Sequence, residues 1–328
     1  VTQRTPSCWI DRRTMHRRRD RRILACAVVI AGCSGRAADA TFQARAVDAT
    51  QMLADLAFLS DDSLEGRLVG SKGSRLAREY LEERFARLGL SMFDESLLHR
   101  FDVTSRGAES EGVNVVGYLK GSATPDWFIV VTAHYDHLGI RDGQIYNGAD
   151  DNASGTAGLM ALAAYFADHR PRHSMIFAAV DAEERGFGGS RAFVEHSPVG
   201  LDRIAVNVNL DMVSHSDHEL FVAGTYHYPF LQPFVERVMG YAEVMLLFGH
   251  DRPELGNDDW TNSSDHAPFH AKGIPFLYFG VEDHADYHKA SDEFENINSD
   301  FYVKAMNAIL GVILELDDDL QSVIAQRK

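Results

Sequence analysis

The sequence predicts an α/β domain built on a parallel or mixed sheet covered on both faces by helices. Three observations carry this expectation. The stretches 127–133 and 175–180 are continuously apolar, as strands buried on both faces are. Helical and strand patterns alternate along the chain from residue 153 to residue 211. No Pro- or Ser-rich linker interrupts the sequence beyond residue 40, so residues 41–328 are expected to form one domain, with 1–40 set apart as a leader.

The elements follow in order. Residues 47–59 carry a short helical pattern, and 60–73 read as loop. A firmer amphipathic helix is expected over 74–88, with Ala77, Leu81, Phe85 and Leu88 on one stripe and Gly89 as its stop. Residues 112–119 and 127–133 read as strands. A helix over 153–167, a strand over 174–181, a helix over 188–196 and a strand over 204–211 come next. The chain then offers a helix near 229–241, a strand at 274–279 and a last amphipathic helix over 301–316.

Charge excludes some partners. The chain carries −16 in all, but residues 1–40 hold nine Arg and three Asp, leaving 23 basic against 45 acidic residues, or −22, for the rest. A body so acidic is a poor match for nucleic acid or an anionic membrane surface. It suits the collection of cations.

The first 40 residues read as an address. Arg17, Arg18, Arg19, Arg21 and Arg22 form a basic region, and 23–31 is an apolar run too short to span a bilayer. Two processing readings stay open. Ile30-Ala31-Gly32-Cys33 resembles the bacterial lipoprotein box, which would lipidate Cys33 and anchor the protein to a membrane. Ala38-Asp39-Ala40 offers an ordinary cleavage site and hence a periplasmic or secreted product. The lipoprotein reading is favoured because its box abuts the apolar run. Residues 1–14 lie upstream of Met15, a candidate true start. In both readings the body is exported from a bacterial cell. Cys8, Cys26 and Cys33 all fall in this leader, so any metal site in the body must be built from His, Asp and Glu.

In α/β sheets ligands bind beyond the carboxyl ends of the strands, and the polar residues gather there. The strand at 127–133 delivers His134, Tyr135, Asp136 and His137. A carboxylate two residues after a ligating histidine can fix its tautomer. Asp150 and Asp151 stand before a helix, where one Asp would serve as a cap and two need a further reason. The next strand gives Asp181, Glu183 and Glu184, adjacent carboxylates that a buried site keeps only beside a compensating positive charge. Asp211 closes the strand after that, and His284, Asp286, His288 and Asp292 lie in a late polar loop. Two zinc ions ~3.5–4 Å apart need about five such ligands with one bridging carboxylate. The inventory is present.

These residues carry a resemblance. Ala133-His134-Tyr135-Asp136, Gly148 through Gly155, Glu183 through Ser190, Asn209-Leu210-Asp211-Met212 and Asp286-Tyr287-His288-Lys289 resemble the ordered motifs of the M28 family of zinc peptidases, mostly aminopeptidases. Ser264-Asp265-His266-Ala267-Pro268-Phe269 with Gly273-Ile274-Pro275 matches a further segment common there. The resemblance covers roughly residues 50–315. It implies a mixed, largely parallel sheet of about eight strands between helices, with two zinc ions. His134 and Asp211 would complete one zinc, Glu184 and His288 the other, and Asp151 would bridge both. Glu183 would be the general base, Asp136 the partner of His134, and the peptide after Asp151 is often cis in the family. His266 and Tyr287 would line the site.

The expected activity is removal of N-terminal residues from peptides. Three alternatives remain: a glutaminyl-cyclase-like enzyme with one zinc, a carboxypeptidase of the same fold, and a non-catalytic binding module. Cyclases typically place Trp before the last histidine ligand, where this chain has Tyr287, and lack the Gly-Phe-Gly-Gly-Ser continuation that this chain carries at Gly186–Ser190. A free amine would be received by an acid, with Asp258, Asp259 and Glu282 as candidates. A terminal carboxylate would need Arg141, Arg185 or Arg252. Tyr226, Tyr228, Phe248 and Trp260 are candidates for a side-chain pocket.

Overall fold

The computed structural model describes residues 46–105 and 108–327; the leader, with Cys33 and both processing sites, lies outside them. Eight strands form one mixed sheet. They are β1 (Leu98–Ser105), β2 (Ala108–Leu119), β3 (Thr124–His134), β6 (His173–Val180), β7 (Ile204–Leu210), β8 (Glu219–Ala223), β9 (Met245–Phe248) and β10 (Phe276–Gly280). Their order across the sheet is β1-β2-β6-β3-β7-β10-β8-β9. The central four, β6, β3, β7 and β10, are mutually parallel, while β1, β2 and β8 each make an antiparallel pairing. A small hairpin of β4 (Gly139–Arg141) and β5 (Gln144–Tyr146) stands apart.

The parallel centre follows from the apolar runs. Along β3, Ile129, Val131 and Ala133 face a cluster containing Leu159, Leu162 and Phe166 of the helix Gly155–Asp168 and Ile309 and Ile313 of the helix Ser299–Asp318. Val130 points the other way, to Phe193 of the helix Gly188–Glu195 and Phe269 of the helix His266–Ala271. Both faces are covered, and the one polar residue of the run, Thr132, is buried and donates to Asn209 Oδ1 at 2.7 Å. Each Leu or Phe fully buried in this way contributes about 1.5–3 kcal/mol.

The helix expected over 74–88 begins earlier, at Lys72, where Ser71 Oγ accepts the Ser74 N–H at 3.1 Å. Ala77, Leu81 and Phe85 are buried, whereas Leu88 is the C-cap and only partly covered. The 60–73 loop holds a 3-10 turn, Asp62–Arg67. In the region expected as a helix near 229–241, a 3-10 turn (Pro229–Leu231) precedes the helix Gln232–Met239. Strands β1, β8 and β9 carry no strong pattern in the sequence. They lie toward the sheet's edges, where one strand can keep polar and charged residues such as His99, Arg100 and Asp102. Among the described residues, no helix is long and apolar enough to cross a membrane.

Candidate metal centre

β3 lies between β6 and β7. The chain reaches β6 through the helix Gly155–Asp168 on one face and then β7 through the helix Gly188–Glu195 on the other, which leaves a crevice at the carboxyl end of β3. A cavity of about 100 Å³ opens there, lined by His134, Asp151, Glu183, Glu184, Asp211 and His288 together with Met212, Trp260, Tyr278, Asp283 and Tyr287. Each strand end contributes one piece: His134 closes β3, Glu183 and Glu184 follow β6, and Asp211 follows β7.

Two donor groups share one carboxylate. His134 Nε2 lies 3.4 Å from Asp151 Oδ1 and 3.2 Å from Asp211 Oδ1. His288 Nε2 lies 3.0 Å from Asp151 Oδ2 and 3.5 Å from Glu184 Oε1. Asp151 therefore turns one oxygen to each group. His137, which the sequence left without a role, joins the second: its Nδ1 is 2.9 Å from Glu184 Oε1 and 3.8 Å from Asp151 Oδ2. Both ring nitrogens of His137 and Glu184 Oε1 are buried without a hydrogen-bond partner among the described residues. Buried polar atoms that converge and stay unsatisfied among themselves suit a metal cation better than a finished core. Within His134, Asp151 and Asp211, and within His137, Asp151 and Glu184, the donor atoms lie no more than 4.8 Å apart. The residues present fit two metal ions.

The electrostatics agree. Burial would push the His134 imidazole down, but the carboxylates of Asp211 and Glu183 hold it well above its ordinary value. Burial likewise opposes a charge on His288, yet the facing carboxylates of Asp151 and Glu184 raise it to about 10. Burial and the Asp151 charge work against ionising Glu184, and the close rings of His137 and His288 still draw it down to about 2. Glu183 behaves oppositely. Burial, with Asp265, Asp211 and Glu184 near by, lifts it well above an ordinary carboxylate despite His134. The two adjacent glutamates are thus driven apart in proton affinity.

Local structure holds these groups in place. Glu183 and Glu184 sit in a 3-10 turn entered through Ala182 at φ 59 and left through Gly186 at φ 89. Gly189 packs against Asp181 and Asn114 so closely that any Cβ would collide with both. Asp181 supports the turn from below: it accepts from Val113 N at 3.1 Å, Tyr135 Oη at 3.0 Å and Ala182 N at 2.9 Å. The Asp151–Asn152 peptide is cis. Asp292 accepts the backbone N–H groups of Asp150 at 2.9 Å and Asp151 at 3.0 Å. Asp150 itself turns away from the cavity, taking Ser214 N at 2.7 Å and Ser214 Oγ at 2.8 Å.

Arg67 is a residue the sequence gave no reason to notice. Its guanidinium is fully buried and donates to the carbonyls of Tyr135 at 2.7 Å, Asn147 at 2.5 Å, Gly148 at 2.9 Å and Leu59. It sits at positive φ in a loop, and only the folded chain shows that three segments meet on it.

Two expectations need correction. Asp136 was expected to take the second ring proton of His134, but its carboxylate is 3.7 Å from Nδ1, while its backbone carbonyl is 3.1 Å away. Asp136 Oδ1 accepts instead from Glu183 N at 2.9 Å. The carboxylate is drawn to the free N–H at the head of the glutamate turn. His266 was expected to line the site, but its ring is fully buried behind the wall, with Nε2 donating to Trp260 O at 2.8 Å and the face stacked on Phe276. Tyr287 does reach the cavity, with its ring centroid 4.0 Å from that of His288.

Of the other candidates, Trp260 lines the cavity and Asp259 caps the turn of Thr261. Glu282 pairs with His250 Nε2 at 3.0 Å. Arg141 and Arg252 lie over Tyr146 and Tyr226, and neither they nor Arg185 are among the described residues of the cavity wall.

The model of peptidase family M28 matches residues 114–313, which span every donor of the centre. The chain belongs to that family. It is similar to aminopeptidase YwaD of Bacillus subtilis, 30% identical over 219 residues, a match that takes in 62% of this chain and 44% of that protein. The chain thus spans less than half the length of that relative. Its fold is similar to the zinc aminopeptidase BSAP of Bacillus subtilis, with a TM-score of 0.65 at 18% identity, covering 81% of this chain and 95% of the other. It is equally similar to the glutaminyl cyclase of Porphyromonas gingivalis, with a TM-score of 0.67 at 16% identity over 84% of this chain and 99% of the other. At these identities the likenesses show the fold alone, an α/β architecture with a mixed eight-stranded sheet.

Proposed function

We propose that the protein is an exported aminopeptidase with two zinc ions, acting on peptides from their N-terminus. The observation that carries the metal count is the sharing of Asp151: its two oxygens face two separate donor groups. His134, Asp151 and Asp211 would hold one ion. Asp151 and Glu184, with His288 and the buried His137, would hold the second. Nitrogen and oxygen donors without thiolates suit zinc, and aminopeptidases are among the similar proteins. Zinc at such a centre supplies Lewis acidity, polarising a peptide carbonyl and making water a better acid near neutral pH.

The chain's own residues complete the reaction. Glu183 lines the cavity without belonging to either donor group, and its raised proton affinity suits a general base. It takes a proton from the attacking water as the water oxygen bonds to the carbonyl carbon, then gives it to the amine nitrogen as the C–N bond breaks. Asp283 and Glu183 give the wall an acidic character fit for a substrate ammonium, and the described wall carries no Lys or Arg to bind a carboxylate. That favours the amino end over the carboxypeptidase alternative.

A one-zinc cyclase is the second reading, because the fold is as similar to a cyclase as to an aminopeptidase. Tyr287 before His288 and the Gly186–Ser190 continuation argue for the peptidase. Metal analysis with leucine p-nitroanilide hydrolysis and cyclisation of a Gln-initial peptide separates the readings. Two zinc ions and hydrolysis support the aminopeptidase, one zinc and cyclisation the rival, and neither activity a binding module. Export and anchoring at Cys33 rest on the leader sequence alone; loss of palmitate labelling in Cys33→Ser, with the protein still exported, would mark the lipid anchor.

A further inference from the structure

Trp260 is the largest apolar side chain on the cavity wall, yet it stands in the connection between β9 and the helix His266–Ala271 rather than on a strand. An indole placed there needs a support. The His250 ring supplies it, stacked on the indole with centroids 3.6 Å apart and planes at 9°. The backbone repeats the contact, since Trp260 N donates to His250 O at 2.6 Å.

His250 is itself held on several sides. Phe221 of β8 meets its ring edge-on, with centroids 4.6 Å apart and planes at 83°. Nδ1 faces Asp258 O at 3.0 Å, and Nε2 faces Glu282 Oε1 at 3.0 Å. An imidazolium donates to both acceptors at once. Glu282 belongs to a different loop, which follows β10 and goes on to Asp283, Tyr287 and His288. Next to the histidine, buried Asp251 accepts Gly224 N at 2.9 Å and Tyr226 N at 2.8 Å, which pins the first loop to the end of β8. His250 is not among the described residues of the cavity wall, but it joins the two loops that bring Trp260 and Tyr287 to it.

We propose, resting on the aminopeptidase reading above, that His250 is a positioning residue. It fixes Trp260 as one wall of the pocket for the substrate's N-terminal side chain, so that the enzyme selects a large apolar side chain there. Met212, Tyr278, Val281 and Tyr287 complete an apolar lining beside the metal-binding groups. A wall fixed before the substrate arrives has no freedom left to lose on binding. Without its stacking partner the indole would turn and the pocket would lose its shape. The stack matters more than the bond to Glu282, whose side chain is 59% exposed, because such ion pairs contribute little.

The test is the ratio of kcat/KM for leucine p-nitroanilide over alanine p-nitroanilide, measured on the full chain. The wild type should favour leucine at least about tenfold. His250→Ala should lower that ratio about three- to tenfold, through KM for leucine p-nitroanilide, while kcat and zinc content hold. His250→Phe keeps a ring on the indole over the same left-handed backbone, φ 57, and should restore most of the ratio. A loss caused by the backbone alone would persist in it. Glu282→Gln should cost less than His250→Ala, under about fivefold. Circular dichroism identifies a His250→Ala that fails to fold; His250→Gln, polar but without a ring, then decides, with the same loss expected. A folded ringless variant that keeps the wild-type ratio, or a wild type that cleaves both substrates equally well, overturns the proposal and leaves the aminopeptidase reading standing. A wild type that cleaves neither overturns that reading, and the role of His250 with it.

Discussion

Asp136 Oδ1 accepts the backbone N–H of Glu183 at 2.9 Å, so the histidine motif at the end of β3 holds the glutamate turn that follows β6. The consequence is a split between metal binding and turnover. Asp136→Ala should lower kcat by about 10–100-fold while zinc content stays near that of the wild type. Asp136→Asn, which keeps an acceptor oxygen, should recover most of the rate. A loss of zinc in Asp136→Ala would instead return the residue to the role of supporting His134.

Glu183→Gln removes the base and leaves both donor groups whole. Turnover should fall by at least about 10²-fold with zinc content unchanged by elemental analysis. Near-normal hydrolysis in this variant would sink the assignment.

His137 is buried beside Glu184, while His288 is partly exposed on a loop. Both are expected to serve the same metal. His137→Ala should weaken the second zinc by about 10–100-fold, and the double variant with His288→Ala should leave one zinc per chain at micromolar free metal. If His137→Ala binds both ions as tightly as the wild type, its ring is packing only.

Arg67 gathers four carbonyls from three segments and lies close to the carboxylates of Asp151 and Asp292. Burial draws its guanidinium down to about 10 against the pull of those carboxylates, so it stays charged. Arg67→Met should destabilise the fold by about 3–5 kcal/mol in urea melts, because the carbonyls and carboxylates lose their buried counter-charge. A loss under about 1 kcal/mol would show that the carbonyls find other partners.

His266 gives the chain an acid-sensitive element away from the donor groups. Burial depresses its pKa from 6.5 to about 3. A depressed folded value means that its contribution to stability is whole above 6.5 and is lost as pH falls toward 3, because the unfolded chain takes the proton first. His266→Phe should therefore show a shallower fall of unfolding free energy over that range, by up to about 1.4 kcal/mol per pH unit. The variant should begin about 1 kcal/mol lower at neutral pH, for want of the bond to Trp260 O. Parallel slopes for the two proteins would refute this.

Much was legible in the sequence alone, for physical reasons. The apolar runs at 127–133, interrupted only by Thr132, and at 175–180 read as strands covered on both faces, and they are the neighbours β3 and β6. Polar residues at the ends of such strands have nowhere to point but the crevice, so His134, Glu183, Glu184 and Asp211 could be named from their places in the chain. Tertiary structure decided what depends on distance between remote segments. Asp150 and Asp151 are alike in physical pattern and only the family resemblance chose between them; the fold turns one to Ser214 and the other to two donor groups. His137 and His266 reversed places for the same reason: a ring's role depends on what is packed around it, and sequence spacing carries no record of that. The strands β1, β8 and β9 likewise owe their place to pairing with neighbouring strands, which local sequence does not record.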